Sequence, residues 1–174
     1  MKTKMSRRFL PIANKMIILG IDPGTNMIGY GLLRINNKET TFLDYGCIIL
    51  VSDKQNYAHL DQLYQEINKL IKKFSVDVVA IEKLFFFKNN KTVMTVSEAR
   101  GVIILAAAQN GLKIKEFTPL QVKQAVSGYG RAEKKQVQKM VRLILGLKKD
   151  PQPDDAADAL AVAICCAHTA DFQR

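Results

Sequence analysis

The chain is poor in several residue types that mark particular classes of protein. It has no tryptophan, two histidines and three cysteines among its 174 residues. Cys47, Cys165 and Cys166 are odd in number, lie among apolar residues and lack the spacing of metal ligands. They therefore argue against a disulfide framework and favour a reducing compartment, the cytoplasm. No apolar run reaches the roughly 20 residues of a membrane-spanning helix, so we expect no membrane contact.

Acidic residues are also in the minority. The chain carries 26 lysines and arginines against 16 aspartates and glutamates, a formal net charge of +10 at pH 7. This excess favours a polyanionic partner, nucleic acid before an acidic membrane, although a solvated basic surface on an unrelated protein has the same composition. The length predicts one domain with a substantial core.

The first fifteen residues differ in character from the rest of the chain. Residues 1–15 are basic and aperiodic, and their apolar part is too short for a signal peptide and is interrupted by Pro11. We expect a flexible basic arm, or an upstream start with Met16 as the natural first residue. The folded domain is then predicted to comprise residues 16–174.

The stretch Met16–Leu33 predicts a β-hairpin. Its first half, Met16–Ile21, is a continuous apolar run typical of a strand buried on both faces, and Asp22 is followed by the turn residues Pro-Gly-Thr-Asn. The hairpin thus delivers one carboxylate to the end of a central strand. Asp22 either hydrogen-bonds the turn or belongs to a charged site, because a buried strand seldom carries an unpaired charge.

A second buried strand, predicted over residues 76–81, ends at Glu82 in the same way. Two carboxylates at the ends of interior strands indicate a site, since open sheets bind ligands beyond their strand ends. Between these strands, residues 40–51 predict a third strand and residues 57–74 an amphipathic helix. His59 falls on the less apolar side of that helix and is expected at the surface.

Three phenylalanines follow Glu82 closely and are themselves followed by lysines. Residues 84–91 read LFFFKNNK, and an extended segment of this kind cannot turn every ring inward. The run either plugs the end of the sheet or forms an aromatic wedge that stacks on bases while Lys88 contacts phosphates.

The second half of the chain predicts helices of different character. The helix over residues 92–109 is apolar or small around much of its circumference, which indicates cover by a second copy in a homodimer. Thr118 and Pro119 predict the start of a short helix. The glycine-bearing loop 127–131 leads into a basic helix over residues 132–145, which suits a phosphate backbone, although a solvated basic face explains it nearly as well.

The last predicted helix begins with three aspartates and is otherwise apolar nearly all round. Asp154 suits an N-cap, and acidic residues suit a helix N-terminus in general, which explains them without a function. Asp155 and Asp158, however, are three residues apart and share one face, although by spacing alone Asp154 and Asp158, four apart, could share a face as well. Two carboxylates on an apolar, buried face are costly unless a cation neutralises them.

The acidic residues converge if the two apolar strands adjoin and the last helix crosses their C-terminal ends. Oxygen ligands without histidine or cysteine suit the hard cations Mg²⁺ and Mn²⁺. Two such ions about 4 Å apart can activate water and stabilise a leaving oxygen in phosphodiester hydrolysis. An acidic centre in a basic protein therefore predicts a metal-dependent nuclease. Its acids are Asp22, Glu82, Asp155 and Asp158.

Five stretches in combination resemble the RuvC-type Holliday-junction resolvases. The resemblance implies an α/β, ribonuclease H-like fold, with a five-stranded mixed sheet flanked by helices on both faces. It also implies a homodimer that binds a four-way DNA junction in recombination and repair, nicks two strands symmetrically and works beside branch-migration machinery. The resemblance extends over residues 16–168, and the stretches that carry it read ILGIDPGTNMIGYG, VAIEKLFFFKNN, EARGVIILAAA, QVKQAVSGYGRAEKKQVQKMV and DDAADALAVAI.

The resemblance also implies roles for individual residues. The family's catalytic acids fall on the four acids above, and its wedge aromatic falls on Phe85, within the phenylalanine run. Two features depart from the family pattern: residues 1–15 have no counterpart, and Asp154 stands where a small residue is usual. The family's basic DNA-contacting positions fall on Lys123 and Lys134, with Lys134 also close to the scissile phosphate. Lys88, Arg131 and Lys135 are expected to contact DNA from their own positions in the lysine run, the glycine-bearing loop and the basic helix.

Three rival interpretations remain at this point. Sugar kinases and actin-like ATPases share the Asp-x-Gly-Thr turn, but this chain is too short for their two lobes. A DNA-binding protein without activity would not need all four acids. A nuclease of the same fold that acts on other branched or RNA substrates would carry the same motifs.

Overall fold

The computed structural model describes residues 15–37, 39–51, 57–84 and 90–169, which form five strands and five helices. The predicted elements are all present, with shifts of at most two residues at the predicted ends. In chain order they are β1 (Lys15–Asp22), β2 (Met27–Asn36), β3 (Glu39–Ile49), α1 (Ala58–Phe74), β4 (Val78–Glu82), α2 (Asn90–Gln109), β5 (Lys113–Phe117), α3 (Pro119–Ser127), α4 (Lys134–Leu145) and α5 (Asp154–Thr169).

The strands form one mixed sheet in the order β3-β2-β1-β4-β5. β1, β2 and β3 are antiparallel neighbours, whereas β4 is parallel to both β1 and β5. The two apolar strands therefore adjoin, with Ile21 of β1 in register with Ile81 of β4. This pairing brings the C-terminal ends of β1 and β4 side by side, as the convergence of the acids requires.

Helices cover both faces of the sheet, so the predicted layer arrangement is confirmed. α3, α4 and α5 share one apolar cluster with Ile18 of β1, and α1 and α2 share another with Leu19 and Ile21. Successive residues of β1 thus point into different cores, which explains why the strand is apolar without alternation.

α5 lies very close to the backbone of β1 and β2. A Cβ atom on Gly20 would lie 2.7 Å from the amide nitrogen of Ala163, and one on Gly31 would lie 2.7 Å from a methyl carbon of Leu160. Gly20 and Gly31 are paired across the two strands, so together they form a flat seat for the helix. All residues from Ala159 to Ala167 are buried, which confirms that α5 packs against the sheet.

Two local expectations were wrong. His59 is buried rather than exposed, with 4% of its surface accessible, because the buried stripe of Leu63, Ile67 and Ile71 extends one turn further towards the start of α1. Asp154 is the first residue of α5 rather than its N-cap, and the carbonyl of Pro153 accepts the amides of Ala156 and Ala157.

Within the described ranges, none of the helices is both long enough and apolar enough to cross a membrane.

Candidate active site

Asp22 and Glu82 occupy the adjacent C-terminal ends of β1 and β4. Burial raises the pKa of Asp22 to about 7, and repulsion from Asp158, Glu82 and Asp155 adds to the shift. Burial likewise raises the pKa of Glu82 to about 7, with repulsion from Asp158 as the second cause. Each carboxylate therefore lies within the electrostatic field of the others, in a site that disfavours negative charge.

α5 supplies the other two acids from its first two turns. The carbonyl of Asp155 occupies the space that a side chain at Gly29 would fill, and Gly29 is the β2 residue paired with Asp22. This contact holds the start of α5 over the end of β1. Burial also raises the pKa of Asp158, against the opposing effect of its hydrogen bond to Lys134. The predicted convergence of Asp22, Glu82, Asp155 and Asp158 thus follows from the pairing of β1 with β4 and the seat of α5.

Lys134, the first residue of α4, places its ammonium group at this acidic centre. Its Nζ atom lies 2.9 Å from Oδ2 of Asp158. Partial burial alone would lower the pKa of Lys134, but the hydrogen bond to Asp158 and the charges of Asp154 and Asp155 outweigh it and raise the pKa. Lys134 is therefore a stable positive charge at neutral pH.

Gln138 and Asp154 join this site, although the sequence assigned neither of them to it. Gln138 is buried, and its Nε2 atom donates to Oδ1 of Asp154 at 2.7 Å. Oδ2 of Asp154 lies 3.6 Å from Nζ of Lys134. The available signal was spacing, because Gln138 follows Lys134 by one helical turn and so lies on the same face of α4.

Lys123 of α3 lies beside the acids. It helps to line a cleft with Glu82, Lys134 and Asp158, and its charge acts against the raised pKa of Glu82. Arg131 and Lys135 are exposed near the start of α4. Phe85 and Lys88 fall outside the described residues, so the aromatic wedge and its flanking lysine stay predictions.

The donor set at this centre fits a hard divalent cation. It consists of carboxylate oxygens, the ligands that Mg²⁺ and Mn²⁺ prefer. Burial first, and repulsion between the carboxylates second, raise the pKa values of Asp22 and Glu82, and a bound cation would offset both effects. Among the described residues, however, no group of three or more histidine, cysteine, aspartate or glutamate side chains already has the arrangement of a metal site. Lys134 contacts one oxygen of Asp158, and coordination of a metal by that carboxylate would weaken its attraction for the ammonium group.

A five-stranded mixed sheet with acids at the ends of β1 and β4 and on the crossing helix α5 is the arrangement of a ribonuclease H-like nuclease. Comparisons with known proteins narrow this class. Residues 18–166 match the family model described as crossover junction endodeoxyribonuclease RuvC. The chain belongs to this family, and the enzyme class expected from the sequence is confirmed.

Individual relatives agree with the family match. The crossover junction endodeoxyribonuclease RuvC of Alkaliphilus metalliredigens is 52% identical over 158 residues, which cover 91% of this chain and 96% of that protein. The corresponding protein of Clostridioides difficile is 50% identical over 159 residues, with 91% and 94% covered. Among solved structures, the chain is similar to Thermus thermophilus RuvC in complex with a Holliday junction substrate, with a TM-score of 0.81 and 33% sequence identity. The aligned region covers 87% of this chain and 93% of that chain.

Proposed function

We propose that this chain is a structure-selective endonuclease that binds four-way DNA junctions in recombination and repair and nicks two of their strands symmetrically. The observation that carries the proposal is the convergence of four carboxylates and the Lys134 ammonium at the ends of β1 and β4. Membership of the crossover junction endodeoxyribonuclease family supplies the substrate class.

Asp22, Glu82, Asp155 and Asp158 are proposed to hold two Mg²⁺ ions, with Mn²⁺ as a substitute. When bound, the cations supply the neutralising charge at the scissile phosphate and at the leaving oxygen. Asp22 is central to this set, because all three of the other carboxylates raise its pKa. We place the reaction in the cytoplasm, a compartment that keeps the three free cysteines reduced.

Lys134 is proposed to contribute positive charge to the site. Its hydrogen bond to Asp158 and the charges of Asp154 and Asp155 raise its pKa, so the metal-free site favours the ammonium form. Positioned beside Asp158, it stabilises negative charge that develops on the phosphate. Lys123 lies in the same cleft as Glu82 and adds a second positive charge there.

Further from the acids, positive charge is proposed to hold the DNA backbone. Arg131 and Lys135 are exposed around the start of α4, where Lys134 enters the centre. Such contacts position the substrate and make binding dependent on salt. Phe85 is proposed to stack on bases at the junction, with Lys88 on a nearby phosphate.

Symmetric nicking requires two active sites, and α2 is proposed to form the homodimer contact. Met94 and Leu105 of this helix are exposed to 71% and 51%, so the helix presents apolar side chains that a partner could cover. We further propose that branch-migration machinery delivers the junction and that residues 1–15 form an arm outside the nuclease domain of residues 16–174. β1 begins at Lys15, so residues 1–14 of that arm fall outside the described part of the chain.

The test compares nicking of a synthetic four-way junction with nicking of a linear duplex of the same sequence, in Mg²⁺ and in EDTA. Paired nicks in the junction alone, lost in EDTA, are expected. Asp22→Asn should abolish cutting and leave junction binding intact. Asp61→Asn, which removes an exposed acid from α1, is the control and should cut normally. Tight binding without cutting in any divalent metal would contradict the proposal and indicate a DNA-binding role.

A further inference from the structure

Asp154 is held in a defined orientation by α4. Its Oδ1 atom accepts a hydrogen bond of 2.7 Å from Nε2 of Gln138, whose side chain is only 7% exposed. A buried amide group that loses its hydrogen-bond acceptor is left unsatisfied, which costs free energy. Gln138 therefore anchors the Asp154 carboxylate.

The remaining oxygen of Asp154 faces Lys134. Nζ of Lys134 lies 3.6 Å from Oδ2 of Asp154 and 2.9 Å from Oδ2 of Asp158. Lys134 and Gln138 are one turn apart on α4, and Asp158 and Asp154 are one turn apart on α5. The two helices therefore meet through a four-residue ladder in which the lysine has two carboxylate partners.

The two carboxylate partners of Lys134 behave differently under the proposed function. Asp158 is a proposed metal ligand, and a carboxylate that coordinates a divalent cation loses much of its attraction for an ammonium group. Asp154 is anchored to Gln138, and its Oδ2 atom lies 3.6 Å from Nζ of Lys134. It can keep Lys134 at the centre while Asp158 changes partner.

We propose that Asp154, anchored by Gln138, is a positioning residue that receives the Lys134 ammonium when Asp158 turns to the metal. The inference rests on the proposed function, and it gives a role to an acid that is not among the four proposed metal ligands. Without Asp154, Lys134 either stays on Asp158 and competes with the metal or leaves the site.

The test is a double-mutant cycle on the full chain with Asp154→Asn and Lys134→Gln. Asparagine keeps the size of Asp154 and an acceptor for Gln138 but removes the charge. Asp150→Asn is the matched control, because Asp150 is a similarly exposed acid that pairs with Arg142 of the same helix, at 2.9 Å. Two quantities are measured: the single-turnover rate of nicking at saturating junction, and Mn²⁺ binding by electron paramagnetic resonance without DNA.

We expect Asp154→Asn to lower the nicking rate and the Mn²⁺ affinity about fivefold each, the scale of one partly exposed charge contact, with an unchanged dissociation constant for the junction. Both effects should vanish in the Lys134→Gln background, and Asp150→Asn should show neither. If the effects persist without Lys134, Asp154 acts directly on the metal and the proposal is overturned.

A lowered thermal midpoint with unchanged rate and unchanged Mn²⁺ affinity would also overturn it, since Asp154 would then only join α4 to α5. If Lys134→Gln cuts too slowly to measure, the Mn²⁺ titrations decide alone. If the unaltered chain binds Mn²⁺ but does not nick junctions, the proposed function fails, and the same titrations still test the Asp154–Lys134 coupling.

Discussion

The carbonyl of Asp155 lies where a side chain at Gly29 would have to be. Gly29 is the strand partner of Asp22, so this one contact sets the distance between an acid of β1 and an acid of α5. A helix can approach a sheet this closely only over residues without a Cβ atom. The geometry of the acidic centre therefore depends on a residue that has no functional group.

Gly29→Ala is expected to lower nicking strongly and to destabilise the fold by about 2 kcal/mol or more, because the added methyl group displaces α5. Nicking assays and urea unfolding measure the two effects. Ile28→Val is the control. Ile28 is fully buried in the apolar cluster that contains α1 and α2, so the change should lower the free energy of unfolding by about 1 kcal/mol and leave nicking intact. Equal loss of activity in both variants would mean that stability alone explains the effect.

The stability of the metal-free protein should depend on pH through Asp22. The pKa of this carboxyl is raised from 3.8 to about 7, so the folded state binds a proton that the unfolded state releases. Asp22 therefore makes its full stabilising contribution to the free energy of unfolding below about pH 4. This contribution is lost as the pH rises through about 7. Glu82, also with a pKa of about 7, acts in the same direction.

Urea unfolding in EDTA from pH 4 to pH 8 tests this dependence against Asp22→Asn, which cannot ionise. The stability difference between the variant and the unaltered chain should shift in favour of the variant as the pH rises. A difference that stays constant across this range would show that Asp22 titrates as an ordinary exposed acid.

Lys134 and Lys135 are neighbours with different expected roles. Lys134→Gln should lower the single-turnover nicking rate by about a hundredfold, the effect of removing one preorganised electrostatic contact, because its ammonium lies at the acids. Lys135 is exposed, and Lys135→Gln should weaken junction binding and flatten its salt dependence without changing the rate at saturation. Rate and dissociation constant are measured separately, and a rate loss in Lys135→Gln would contradict this division.

Leu105→Glu is expected to convert the proposed homodimer into a monomer, because it places a charge on the exposed apolar part of α2. Sedimentation velocity measures the mass. Leu143→Glu is the control, since Leu143 of α4 is also exposed, to 58%, but lies on another helix. A dimer that survives Leu105→Glu would place the contact elsewhere on the surface.

The sequence by itself determined the class of fold and the candidate acids. Met16–Ile21 and the run ending at Glu82 are apolar without alternation, which distinguishes interior strands, and each is followed directly by an acid. The family stretches identified the protein class, which the comparisons confirm. All of these signals are local, and local patterns are visible along the chain.

Only the tertiary structure decided which residues meet across elements. Gln138 and Asp154 are 16 positions apart and belong to different helices, and no periodicity predicts their hydrogen bond. His59 is buried because the side of α1 that carries it packs against the sheet, although its own sequence neighbours made it appear exposed. Likewise, Gly29 gains its importance only once α5 is seated on β2. Contacts of this kind depend on how the layers pack, which is a property of the whole chain.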